Sequence, residues 1–133
     1  CLEQQEEFTI FEHDAIIVNH IPPHIPYKEV ISIGKPSYGG HIDLKSFGVN
    51  PLTSKRYFPG AHAYRLRPAG AKKLIEQAKI YAKPTDVYLN LDTFPNLQEY
   101  YPWPVEAKDT FTTIQKRQGC LAKHNYDETY KII

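Results

Sequence analysis

The sequence predicts an α/β domain, a sheet with flanking helices and long loops, on three observations. Two short apolar runs, FTIF at 8–11 and AIIV at 15–18, flank a charged triplet. An alternating segment at 61–67 leads straight into an amphipathic one opened by Pro68. The stretches between them are rich in Pro, Gly and Ser. Strand-like runs beside a helical period are the pattern of mixed α/β architecture.

The elements follow in order. Phe8-Thr9-Ile10-Phe11 is apolar on both faces and reads as a strand at the centre of a covered sheet. Glu12-His13-Asp14 and the second apolar run come directly after it. Residues 19–28 hold three prolines and read as loop. Glu29 to Ile33 reads as a short strand, and the weakly patterned stretch from Gly34 to about Gly60 as a long functional loop. Ala61 to Arg67 alternates as a strand does. Pro68 suits a first helical turn, where its missing N–H costs nothing. From there Ala71, Leu74, Ile75 and Ala78 share one apolar face, opposite Lys72, Lys73, Glu76 and Lys79, and Pro84 ends the pattern. Thr85 or Asp86 can cap a further short helix. Residues 92–102 read as loop, 103–107 as an edge strand because of Pro104, and the tail from Phe111 as polar.

A length of 133 residues suits one domain, and an apolar fraction of 41% with 23% charged is ordinary for a globular chain. Sixteen Lys and Arg against fifteen Asp and Glu give no field that would select nucleic acid. No apolar run approaches the roughly 18–20 residues of a membrane span. Cys1 and Cys120 are too few for a disulfide scaffold and match no zinc spacing. They read as free thiols of a reducing compartment, so a cytoplasmic location is expected. Ten Tyr, six Phe and one Trp are many, and several fall in rigid sequence such as Tyr100-Tyr101-Pro102-Trp103-Pro104. Such residues stack on flat ligands, sugar rings and bases included, or cover the rim of a small core.

The first chemical candidate is Glu12-x-Asp14. Carboxylates one residue apart at a strand end can turn toward one hard divalent cation such as Mg²⁺ or Mn²⁺. Apolar flanks make an unpartnered carboxylate there costly. His62 in Gly60-Ala61-His62-Ala63-Tyr64 can meet a ligand or be a satisfied half-buried histidine. Asp86 can be a general base or a plain N-cap. His13, His20 and His24 straddle Pro22-Pro23 and match no strong zinc pattern. Cys120 with His124 offers too few ligands for a metal, and Lys35, Lys116 and Arg117 can touch phosphate or stay solvated. A two-metal hydrolase would need further His or Asp ligands in recognisable arrangement.

Taken in order, these segments resemble glycosyltransferase family 25, the lipopolysaccharide-biosynthesis type. The matching stretches are FTIFEHDAII, VISIGKPSYG, Gly60-Ala61-His62-Ala63-Tyr64-Arg65-Leu66 with Gly70-Ala71-Lys72-Lys73-Leu74, Pro84-Thr85-Asp86, and WPVEAKDTFTTIQKR, across roughly residues 8–117. The resemblance implies a GT-A, Rossmann-like sheet, a nucleotide-sugar donor, a carbohydrate or other hydroxyl acceptor, and a divalent metal. By that match Glu12 and Asp14 serve metal and donor diphosphate, Asp86 is the catalytic base, and His13, Lys35, Ser37, His62 and Tyr64 bind substrate. His13 stands where the family carries a middle acid. The family places a nucleotide-binding βαβ region before its acidic motif, and seven residues precede the first strand here. The chain is therefore expected to be a single domain, 1–133, holding the acidic-motif and acceptor-side part of a partial GT-A sheet. A non-catalytic nucleotide- or sugar-binding domain is the alternative.

Overall fold

The computed structural model describes residues 1–36, 42, 46–53, 58, 61–80 and 85–108. It is mixed α/β. The strands are β1 (Phe8–Phe11), β2 (Ala15–Ile17), β3 (Val30–Ser32), β4 (Gly48–Pro51), β5 (Ala63–Leu66), β6 (Gln98–Tyr101) and β7 (Val105–Ala107). The helices are α1 (Pro68–Ile80) and the short α2 (Thr85–Tyr88). Five strands form one sheet in the order β1-β5-β3-β6-β4, while β2 and β7 form an antiparallel pair.

Strand directions decide where loops gather. β1 and β3 are each antiparallel to β5, and β6 is parallel to β3, so β1, β3 and β6 point the same way. β4 is antiparallel to β6. One rim of the sheet therefore collects the carboxyl ends of β1, β3 and β6 with the amino ends of β4 and β5. β3 and β6, a parallel pair, both end at this rim.

Each face of the sheet has its own core. Val30, Tyr64, Leu66 and Ile10 lie on one face and pack with Leu74 of α1, Phe58, Leu89, Phe94 and Leu97. Their alternates Ile31, Ile33 and Ala63 lie on the other, covered by Ile21, Ile25 and Tyr27 of the proline-rich 19–28 segment and by Val105. That segment is loop, as the prolines require, yet it supplies half a core. Arg65 pins it, donating from Nη1 to the Pro23 carbonyl at 3.1 Å and from Nη2 to the Pro22 carbonyl at 2.7 Å. Helix α1 starts at Pro68 and lies close on β3, since a Cβ on Gly70 would sit 2.5 Å from the Glu29 carbonyl oxygen.

Several expectations need correction. β1 is an edge strand and not a central one, and Phe8 and Phe11 stay 36% and 43% exposed. Of its apolar residues, Ile10 packs on the core cluster around Val30 and Tyr64, and the rest stay open. The predicted apolar face of α1 is buried at Ala71 and partly at Leu74, while Ile75 and Ala78 are exposed. The predicted long loop from Gly34 contains β4, and the predicted loop at 92–102 contains β6. β4 was hidden by Gly48 and Pro51, residues tolerated there because the strand is at an edge. β6 was hidden by Glu99, a carboxylate that is wholly buried in mid-strand. It accepts the Thr53 N–H at 2.8 Å, the kind of bond a buried carboxylate needs. The segment predicted as an edge strand at 103–107 forms β7 at Val105–Ala107, after Pro104; it pairs with β2 on one side and bridges Gly34 on the other.

Candidate functional site

The site begins with how β1 connects to β2. Glu12 donates its N–H to the His62 carbonyl at 2.9 Å, which ties it to the start of β5. The chain then turns, with Ala15 N–H donating to the Glu12 carbonyl at 3.1 Å. Ala15 pairs with Ala107 of β7, and Lys108 N–H donates to the Asp14 carbonyl at 2.7 Å. β5 and β7 flank the end of β3 on opposite sides: Ile33 N–H donates to the Ala63 carbonyl at 3.1 Å and Lys35 N–H to the Val105 carbonyl at 2.8 Å. The Glu12-His13-Asp14 turn thus crosses the end of β3, at the rim where the carboxyl ends of β1, β3 and β6 converge.

Within the turn Glu12 and His13 are exposed and Asp14 is half-buried. Asp14 Oδ1 is shut off from water and accepts no hydrogen bond from any described residue. A carboxylate oxygen without donors or water is costly, and a bound cation is one of the few partners that offsets it. The donor set, two hard carboxylates spaced by one residue, fits Mn²⁺ or Mg²⁺. Among the described residues no three His, Cys, Asp or Glu side chains form a complete metal cage. Part of any coordination shell would therefore come from the ligand's own oxygens, as is usual for cations shared with phosphates.

Beneath the turn lie two of the residues singled out in the sequence. His62 is 3% exposed and its ring lies directly on Gly34, where a Cβ would come 2.4 Å from Nε2. Tyr64 is 8% exposed and meets Phe58 edge-on, with ring centroids 5.6 Å apart. Burial, and then the nearby Glu12 carboxylate, push the Tyr64 phenol above its ordinary range. Both side chains form the wall under the turn, not its open surface. Lys35 follows β3, and its ammonium lies 2.8 Å from Glu106 Oε1 of β7.

The structure thus gathers Glu12, His13, Asp14, Lys35, His62 and Tyr64 at one rim. Asp86 is the second residue of α2, whose C-terminal neighbour Leu89 shares the core cluster of Tyr64; the Asp86 side chain lies outside the described residues. Ser37, Lys116, Arg117, Cys120 and His124 also lie outside them. Cys1 is a free thiol. Sequence reasoning missed Glu106, which pairs with Lys35, and Phe47, whose ring stands exposed before β4. The first had no signal beyond a charge in an edge strand; the second was one apolar letter in a stretch read as loop.

Comparison with known protein families, with curated proteins and with solved structures returns no match. Chemistry at the rim must carry the functional reading. A cleft of about 120 Å³, lined by Lys28, Pro51, Pro95, Asn96, Leu97 and Gln98, opens at the opposite rim. It is well below the several hundred Å³ of a typical small-molecule site. No helix among the described residues is long and apolar enough to cross a membrane.

Proposed function

We propose that this chain takes part in glycosyl transfer from a nucleotide-sugar donor to a hydroxyl of a carbohydrate or similar acceptor, on a sheet of GT-A type in the cytoplasm. One observation carries the reading: an acidic turn crosses the carboxyl end of β3 and holds a buried Asp14 oxygen that has no hydrogen-bond donor among the described residues. The ordered resemblance of its segments to glycosyltransferase family 25 supports the same chemistry.

Glu12 and Asp14 present carboxylate oxygens to the donor's diphosphate end. Glu12 and Asp14 would hold a divalent cation, which would supply positive charge against the negative charge that the leaving group gains. Lys35, paired with Glu106, adds a positive charge at the same rim. His62 and Tyr64 form the wall that fixes the turn, and His13 and Ser37 are the remaining polar contacts proposed for substrate. In the transfer the bond between anomeric carbon and diphosphate oxygen breaks, and the diphosphate leaves with the electron pair. The acceptor oxygen bonds to the anomeric carbon, and its proton passes to a carboxylate, for which Asp86 is the proposed base.

The test is release of nucleoside diphosphate from UDP- and GDP-sugars in the presence of Mn²⁺, comparing the wild-type chain with Asp14→Asn. Release that disappears in the variant supports the reading. If the wild type binds nucleotide but releases none, the alternative of a non-catalytic nucleotide- or sugar-binding domain replaces it.

A further inference from the structure

The same rim carries a second feature at its β4 side. Phe47 leaves 81% of its surface open to water, more than any other large apolar side chain described. It nonetheless has aromatic neighbours. Its ring lies 5.7 Å from Tyr101 at a 53° tilt, and Tyr101 in turn meets Trp103 edge-on at 5.2 Å. Trp103 is itself 9% exposed, so the row of three rings is anchored in the body of the domain.

The backbone beneath Phe47 is held as firmly. Gly48 adopts φ +89°, a left-handed conformation that glycine reaches at little cost. Asn50 Nδ2 donates to the carbonyls of Ser46 at 2.9 Å and Gly48 at 3.0 Å, clamping the turn on either side of the ring. Gly48 also pairs with Tyr101 in the sheet. An exposed apolar ring on an ordered backbone offers a binding surface: covering it recovers the exposed apolar area, and the backbone beneath needs little further ordering.

Position and charge narrow the occupant. Tyr101 is six residues from Ala107, which pairs with Ala15 beside Asp14. Extended chain of that length reaches at most about 20 Å, so platform and acidic turn lie within one elongated ligand of each other. The three rings and the Asn50 clamp are uncharged, which suits a neutral ring with an apolar face and polar edges. A pyranose presents such a face through its axial C–H bonds.

We infer that Phe47, braced by Tyr101 and Trp103, is an outer subsite that stacks a neutral pyranose ring of an extended carbohydrate acceptor. The word acceptor rests on the glycosyl-transfer reading; the stacking itself does not. The probes are malto-, cello-, chito- and manno-hexaose, titrated by calorimetry into the full chain and into Phe47→Ala and Phe47→Trp, with uridine diphosphate plus Mn²⁺ as a separate titration. At least one hexasaccharide is expected to bind wild type, to bind Phe47→Ala about tenfold more weakly, and to bind Phe47→Trp at least as well as wild type. Nucleotide affinity is expected to stay the same in all three. Loss of nucleotide binding in Phe47→Ala would assign the platform to a base and overturn the inference while leaving the donor site standing. Hexasaccharide binding that ignores residue 47, or no binding of any hexasaccharide, also overturns it. Hexasaccharide binding that needs Phe47 without any nucleotide binding sustains the subsite and removes the transferase reading.

Discussion

Gly34 and His62 are in contact through backbone and ring: a Cβ on Gly34 would lie 2.4 Å from Nε2 and 2.9 Å from both Cδ2 and Cε1. His62 is 3% exposed. The His62 carbonyl also accepts the Glu12 N–H, so the residue under Gly34 is tied to the acidic turn. Gly34→Ala is expected to cost about 1–3 kcal/mol in urea unfolding, the range for overpacking. His62→Ala in that background should recover part of the loss. A double-mutant coupling near zero would mean that the ring is not what the new methyl meets.

Arg65 is the second determinant of the site's frame. Its side chain is 7% exposed, donates to two proline carbonyls and lies 3.5 Å from Glu7. Arg65→Met should cost about 2–3 kcal/mol, because hydrogen bonds from a charged donor vanish while their acceptors stay partly buried. Arg65→Lys should recover only part, since an ammonium cannot donate as a planar fork. Full recovery in urea melts would show that charge alone matters.

Lys35 separates binding from stability. Its pair with Glu106 is about half exposed at 47% and 43%, so it is worth at most about 1 kcal/mol to the fold. Lys35→Met is therefore expected to leave the urea midpoint nearly unchanged and to weaken nucleoside-diphosphate binding several-fold. Unchanged binding would place the lysine outside the diphosphate site.

Tyr64 gives a pH signature. Burial and the Glu12 carboxylate raise its phenol above the ordinary value of 10.0. The unfolded chain then loses this proton at lower pH than the folded one. The stability contribution is intact below pH about 10 and lost as pH rises toward the folded value. Tyr27 is raised in the same direction by burial. Unfolding free energy should fall above pH about 10, and less steeply in Tyr64→Phe than in wild type. Equal slopes would contradict the placement of the phenol.

Much of the fold was legible because its signals were local. The proline count of 19–28 gave a loop, Pro68 gave the start of α1, and alternation gave β5. What stayed hidden depended on tertiary partners. Phe8-Thr9-Ile10-Phe11 reads as buried by composition, but its rank in the sheet is set by pairing, and pairing makes it an edge. Gln98–Tyr101 reads as loop because Glu99 breaks the apolar pattern, and its compensating bond comes from Thr53, distant in sequence. The site shows the same division. Glu12, Asp14 and His62 were visible as residue types, while the ties of the turn to His62 on one side and to Lys108 after β7 on the other come from the tertiary fold. Phe47 acquires meaning only through Tyr101 and Trp103, far along the chain.

Calorimetric titration with uridine and guanosine diphosphates, with and without Mn²⁺, on wild type and Asp14→Asn tests the central claim most directly. Binding that requires Mn²⁺ and falls about tenfold or more in Asp14→Asn, with coincident urea melts, is the expected result. Nucleotide binding indifferent to Mn²⁺ and to Asp14, or no binding by a folded chain, would contradict the assignment of the acidic turn to a donor diphosphate.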